Sequence, residues 1–137
     1  MECRPLKLSP LWVLVVVLLI GAGRSARGDE DDETERLAAK YYARDQVVLS
    51  DQTRVDLLSE DWAIEVEYAR VWKSSIGQAV HYSIVANRDY PEGKRAPAVL
   101  LLIQDPVRDR KYVIQCGRVC RRLGINLFWE LVGDVPP

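Results

Sequence analysis

The 137-residue chain holds one histidine, one methionine, one phenylalanine and three cysteines. With His81 alone and no Ser or Cys partner pattern near it, a histidine-dependent catalytic triad is disfavoured. Cys3 lies in an N-terminal apolar segment, and Cys116 and Cys120 lack the C-x-x-C spacing of zinc or redox sites. Too few His and Cys ligands remain for a zinc site. A bond between Cys116 and Cys120 would distort one helical turn, so both read as buried free thiols. There is no glycine-rich phosphate loop, no G-x-G-x-x-G and no internal repeat. A net charge of -1 gives no bulk attraction to nucleic acid or membrane.

The longest apolar run, LWVLVVVLLI at 11–20, is also short of the roughly 20 residues a bilayer span needs. With Arg4 and Lys7 before it and small residues after it, residues 1–28 read as a secretory signal peptide. An uncleaved N-terminal anchor is the alternative. The expected location is secreted or periplasmic, membrane-anchored if uncleaved, with no stable span after cleavage. Residues 29–35, opening with DEDDE, read as an acidic linker, the domain as 36–132, and 133–137 as a frayed tail.

What remains has the apolar and charged balance of a globular domain. Helical spacing of Leu37, Ala38, Tyr41 and Tyr42 predicts a helix over 34–44 with those residues on one face. QVVL at 46–49 is a short strand. A helix over 71–86 would bury Trp72, Ile76, Ala79, Val80, Ser83 and Ile84, with Gln78 and Tyr82 together on one flank. Lys73 lies about 140° from Gln78 around that axis. Gly77 in mid-helix suggests a close approach of the sheet. Residues 87–97 are turn-rich, AVLLLI at 98–103 is a strand buried on both faces, and 104–110 is a polar turn. Residues 116–123 are helical with Gly124 as cap, and 125–131 form a last strand beside 98–103. The fold class is therefore α/β, a small mixed sheet of four to five strands flanked by helices.

The chemistry concentrates at 53–68. Strands at 53–58 and 62–68 flank the polar Ser59-Glu60-Asp61. A turn centred on Glu60-Asp61 puts Asp56 opposite Glu65 and Arg54 opposite Glu67. Asp56, Glu65 and Glu67 then share a face, while Trp62, Ile64, Val66 and Tyr68 form the core-facing set. Three carboxylates on one sheet face repel unless a cation sits among them, and hard Mg²⁺ prefers such oxygens. The plainer reading is an acidic, solvent-facing hairpin. Charge is polarised: 29–67 carries thirteen acidic and four basic residues, 88–122 nine basic and four acidic. The basic half could meet a phosphate backbone, or simply be solvated.

The order Asp56, Glu65-x-Glu67, then a helix with Gln78-x-x-x-Tyr82, resembles the PD-(D/E)XK nuclease superfamily, in particular its RecB-like branch and small bacterial proteins within it. The resemblance spans roughly 47–131. It implies a restriction-endonuclease-like fold and metal-dependent hydrolysis of phosphodiester bonds in nucleic acid. It implies Mg²⁺ or Mn²⁺ on Asp56, Glu65 and the Val66 carbonyl, with Gln78 supporting substrate or water. Glu67 stands where the superfamily has lysine, which puts a lysine-activated water in doubt and leaves Glu67 to orient or deprotonate the water. A homodimer is left open. Two other classes stay open: a catalytically inactive binding module of the same fold, and a secreted structural or adaptor protein with an acidic surface hairpin.

Overall fold

The computed structural model describes residues 25–133. Residues 1–24, most of the segment 1–28 read as a signal peptide or anchor, and residues 134–137 of the expected tail lie outside the described residues. The chain divides into two compact units, Met1–Glu33 and Thr34–Pro137. Helix α1, Ser25–Lys40, runs across that division, and every other described element belongs to the second unit. The helix therefore begins earlier than residue 34 and takes in the acidic run at 29–33. Among the described residues no helix is long and apolar enough to cross a membrane.

Five strands follow: β1 Arg44–Val48, β2 Arg54–Leu58, β3 Trp62–Tyr68, β4 Ala96–Ile103 and β5 Asn126–Leu131. They form one mixed sheet in the order β1-β2-β3-β4-β5. The first three pair antiparallel, and β4 and β5 continue parallel to β3. A short 3-10 turn, Ala69–Val71, leads from β3 into helix α2, Lys73–Asp89, and helix α3, Pro106–Leu123, joins β4 to β5. The expected α/β class and the strand–helix–strand return of the C-terminal half are both present.

Leu37 and Ala38 of α1 cover one sheet face, against Leu57, Ile64, Val66, Ala98, Leu100 and Leu102. On the other face Trp72 and Ala79, with Cys116 and Cys120 of α3, pack on Val99, Leu101 and Ile103. β4 is thus enclosed on both faces, as its unbroken apolar sequence requires. β3 is also buried on both faces at its centre. Cys116 and Cys120 are free, buried and 3.6 Å apart at sulfur.

Three local expectations change. Tyr42 is 93 % exposed, because the chain leaves the helix there with φ 50 and Ala43 N–H caps the Ala38 carbonyl. On α2, Val80 and Ile84 are exposed, and the buried arc instead takes in Ser75, Ala79, Tyr82, Ser83, Val85 and Ala86. The reason is tertiary: the second half of α2 meets Leu49, Val55, Leu58 and Ala63 of the antiparallel half. Gly77 is exposed, and a Cβ there would have nothing within 4 Å, so no strand approaches it closely.

The segment read as a polar turn at 104–110 is mostly helix. Asp105 caps α3, accepting from Val107 N–H and Arg108 N–H at 3.0 Å, with Pro106 in the first turn. Asp109 reaches back to the backbone N–H groups of Gln104 and Asp105. Gly124 closes the helix at φ 68, as expected of a left-handed cap.

Candidate functional site

The site is built by the hairpin β2–β3. Ser59 holds the turn: its N–H donates to the Trp62 carbonyl at 3.0 Å, and its Oγ accepts from Trp62 N–H at 2.9 Å. The strands pair through Leu57↔Ile64 and Leu58↔Ala63, the register that a turn at Glu60-Asp61 dictates. Beyond those two pairs the strands part. Asp56 fills the opening, its Oδ2 accepting from Val66 N–H at 2.9 Å where a backbone carbonyl would sit in a continuous ladder. Asp56 thus lies one step beyond the last ladder pair and holds Val66 rather than pairing with Glu65, while the charges of both carboxylates reach Tyr82. Arg54 and Glu67 are not ladder partners, because the pairing has already opened.

The parting has a visible origin. In a regular strand Val55 and Leu57 share a face. Here Leu57 packs under α1, whereas Val55 packs against Tyr82, Val85 and Ala86 of α2. The strand reverses its facing at Asp56. Across the β1–β2 register, between Asp45↔Leu57 and Val47↔Val55, the residue opposite Asp56 is Gln46, and its φ is 49. A non-glycine residue held at positive φ inside a strand is uncommon and marks a constrained place. The two kinks together turn the Asp56 carboxylate toward the edge of β3.

Glu65 is 6 % exposed, an unusual burial for a carboxylate on a sheet face. Glu67, two residues on, is half-buried, and its Oε1 accepts from Tyr68 N–H at 2.9 Å. Burial pushes the Glu67 carboxyl up; the Tyr68 bond opposes this and the negative charge of Asp56 adds to it. The Tyr82 phenol is pushed up to about 12, first by burial and then by the charges of Glu65 and Asp56. Tyr82 therefore lies within electrostatic reach of both carboxylates while packing in the core. Gln78 sits one turn earlier on α2 and is exposed. His81, also exposed, is engaged by Asp51 Oδ2 at 2.6 Å in a surface pairing.

Among the described residues no group of three or more His, Cys, Asp or Glu side chains converges to hold a metal ion. A cation at this place would need backbone or amide oxygens beside the two carboxylates. Two are at hand. The N–H and C=O of one strand residue leave on the same edge, so the Val66 carbonyl faces the gap that Asp56 spans. Gln46 Oε1 is shut off from solvent and accepts no hydrogen bond. An orphaned amide oxygen opposite Asp56 is a hard neutral donor, which fits an oxygen-seeking cation. Gln46 was not legible as a site residue: QVVL reads as an ordinary strand, and no pattern in it announces the positive φ.

A second feature lies at the C-terminal ends of β3 and β4. A groove of about 270 Å³ is lined by Arg70, Gln104, Asp105, Arg108, Lys111 and Tyr112. Arg70 hydrogen-bonds Gln104 across the two strand ends. Arg108, Arg110, Lys111, Arg118, Arg121 and Arg122 are all exposed on α3. At 100° per residue they fall within an arc of about 160°, opposite the buried Cys116 and Cys120. The sequence-level charge polarity thus becomes one cationic helix face.

No family model, no curated protein and no solved structure matches this chain.

Proposed function

We propose that the protein is a metal-dependent nuclease of the PD-(D/E)XK kind, hydrolysing phosphodiester bonds in nucleic acid. The observation that carries this reading is the opened hairpin, in which Asp56 turns onto Val66 N–H beside the buried Glu65. A solvent-facing hairpin with incidental surface charge has no reason to bury a glutamate there or to break its own ladder for an aspartate.

Asp56, Glu65 and the Val66 carbonyl would hold Mg²⁺ or Mn²⁺. The ion supplies charge neutralisation at the phosphate and a more acidic water. Glu67 is the base. Its carboxyl is held above the ordinary value by burial and by Asp56, so it takes up a proton more readily than a solvated glutamate. One Glu67 oxygen is fixed by Tyr68 N–H, which orients the other. Gln78, exposed one turn before Tyr82, offers an amide to the phosphate or the water. The cationic face of α3 and the groove at Arg70 and Lys111 would carry the flanking backbone, since phosphate contacts position a nucleic acid without reading its sequence. Exposed Lys and Arg also make the expected binding steeply salt-dependent.

Calorimetric titration of Mn²⁺ tests the reading. Binding to the wild-type chain should weaken at least about tenfold in Asp56→Asn and in Glu65→Gln, the loss of one charged ligand. Hydrolysis of an oligonucleotide should fail in both variants and in Glu67→Gln. Equal Mn²⁺ affinity in all the chains would sink the metal site.

A second reading is a catalytically inactive nucleic-acid-binding module of the same architecture, favoured by Glu67 standing in the lysine position. It separates cleanly, because oligonucleotide binding would then be unchanged by Asp56→Asn and reduced by Lys111→Gln.

A further inference from the structure

A second, independent site is built at the other end of β3, around Arg95. This residue is 7 % exposed, yet it belongs to a connecting segment rather than to the core of an element. Its backbone is fixed on both sides: Arg95 N–H donates to Asn87 Oδ1 at 2.6 Å, and its carbonyl accepts from Asn87 Nδ2 and Ser83 Oγ. Its guanidinium is fixed as well, Nε on the Ser59 carbonyl at 2.9 Å and Nη1 on the Tyr90 carbonyl at 3.0 Å. These contacts use two of the five guanidinium N–H donors.

The remaining edge is poorly compensated. The nearest carboxylate to Nη2 is Glu92 at 3.8 Å, beyond hydrogen-bond distance, on a side chain that is 70 % exposed. A buried cation without a close counter-charge is costly to fold. A cavity of about 280 Å³ opens here, lined by Arg95, Arg44, Ser59, Glu60, Leu58 and Tyr42. Arg44 brings a second positive charge, its guanidinium carbon 5.1 Å from the Tyr90 ring centroid, while that of Arg95 lies 5.2 Å from the same centroid. Both guanidinium groups thus stand over one aromatic ring, and both arginines line the cavity. Tyr42, at its mouth, is held in the left-handed region at the end of α1.

We propose that this cavity binds a phosphate group, gripped by the free edge of Arg95 and by Arg44. Guanidinium matches phosphate oxygens two at a time, which suits the two planar forks, and the two glutamates beside them, Glu60 on the wall and Glu92 at 3.8 Å from Nη2, are both exposed to water. The site shares no residue with the carboxylate centre, and its standing does not depend on that reading.

The probe is inorganic phosphate titrated into the full chain, followed by calorimetry and by the tyrosine fluorescence near the cavity. Arg44→Gln should weaken binding about tenfold, the loss of one charge-assisted contact. Arg95→Lys, which keeps the charge but not the fork, should weaken it similarly. Lys94→Gln, a neighbouring exposed cation outside the cavity, should change it less than about twofold. Circular dichroism of each variant separates lost binding from lost fold, and Arg44 is exposed, so that its variant carries the test if Arg95→Lys unfolds. A short oligonucleotide with internal phosphates only distinguishes the source: competition with inorganic phosphate indicates a nucleic acid backbone, and none indicates a small phosphorylated ligand. The proposal is overturned by equal affinity in wild type, Arg44→Gln and Arg95→Lys, by no binding at millimolar phosphate, or by loss confined to Arg108→Gln and Lys111→Gln, which would put the anion in the groove on α3.

Discussion

Glu67 lies where burial and the Asp56 charge both favour a proton, against one bond from Tyr68 that favours the anion. The folded state therefore holds this proton more tightly than the unfolded chain. The sign follows: the native state binds more protons through this window, so stability falls as pH rises from the ordinary carboxylate value of 4.5 through the raised one. Glu67→Gln removes that penalty. The variant should be more stable than wild type at about pH 7, with the difference shrinking toward about pH 4, as read from urea midpoints at both. A variant less stable at neutral pH would mean that the charged form is held by partners stronger than burial. Gly77 makes a simpler case. It is helical, exposed and free of neighbours within 4 Å of a built Cβ. Gly77→Ala should stabilise by about 0.5–1 kcal/mol, measurable in the same melts.

The start of α3 is held by two aspartates with different duties. Asp105 is an exposed cap whose carboxyl is pulled down chiefly by Arg108 N–H, and Asp105→Ala should cost about 1 kcal/mol. Asp109 is 6 % exposed and satisfies two backbone donors. Asp109→Ala strands both and should cost more, about 1–3 kcal/mol, in equilibrium unfolding. This element also shows where the sequence could have been read better. Asp-Pro followed by two turns of mixed residues is a helix-start signal, proline being tolerated at the first position. Helix α2 was legible in length but not in rotation. Val80 and Ile84 continue the apolar stripe of Trp72 and Ile76 yet are exposed, while Tyr82 and Val85 are buried, because α2 crosses from β4 to the hairpin and periodicity cannot tell which flank meets that second neighbour. The hairpin register through Leu57↔Ile64 was legible, since two polar turn residues fix an antiparallel register. The splay beyond it was not, because it rests on the sign of φ at Gln46.

Across the whole domain, β4 pairs with a parallel strand on each side along its length, whereas β2 meets β3 through only Leu57↔Ile64 and Leu58↔Ala63 plus the Asp56 bond. The β1–β2 ribbon is thus the more weakly attached half. Amide hydrogen exchange should show Val55 and Val47 opening at lower free energy than Leu100 and Leu101. Equal protection in both halves would mean that the ribbon is held by its packing on α2 rather than by the sheet. At the far edge, Glu130 fastens β5 to the end of α1. Burial works against its charge, but Lys40 Nζ at 2.6 Å and the Tyr41 hydroxyl at 2.9 Å hold its carboxyl below the ordinary value.

That the strands stand in space in the order in which they occur in the chain has a consequence for synthesis. No strand has to be threaded between two earlier ones. As translation proceeds, each new strand finds its only earlier partner already made and exposed at the growing edge. By the time β4 emerges, α1 is present to cover one face and α2 part of the other, which α3 completes as β5 closes the remaining edge. Domains assembled from the N-terminus in this way leave little unpaired apolar surface waiting on chain still inside the ribosome.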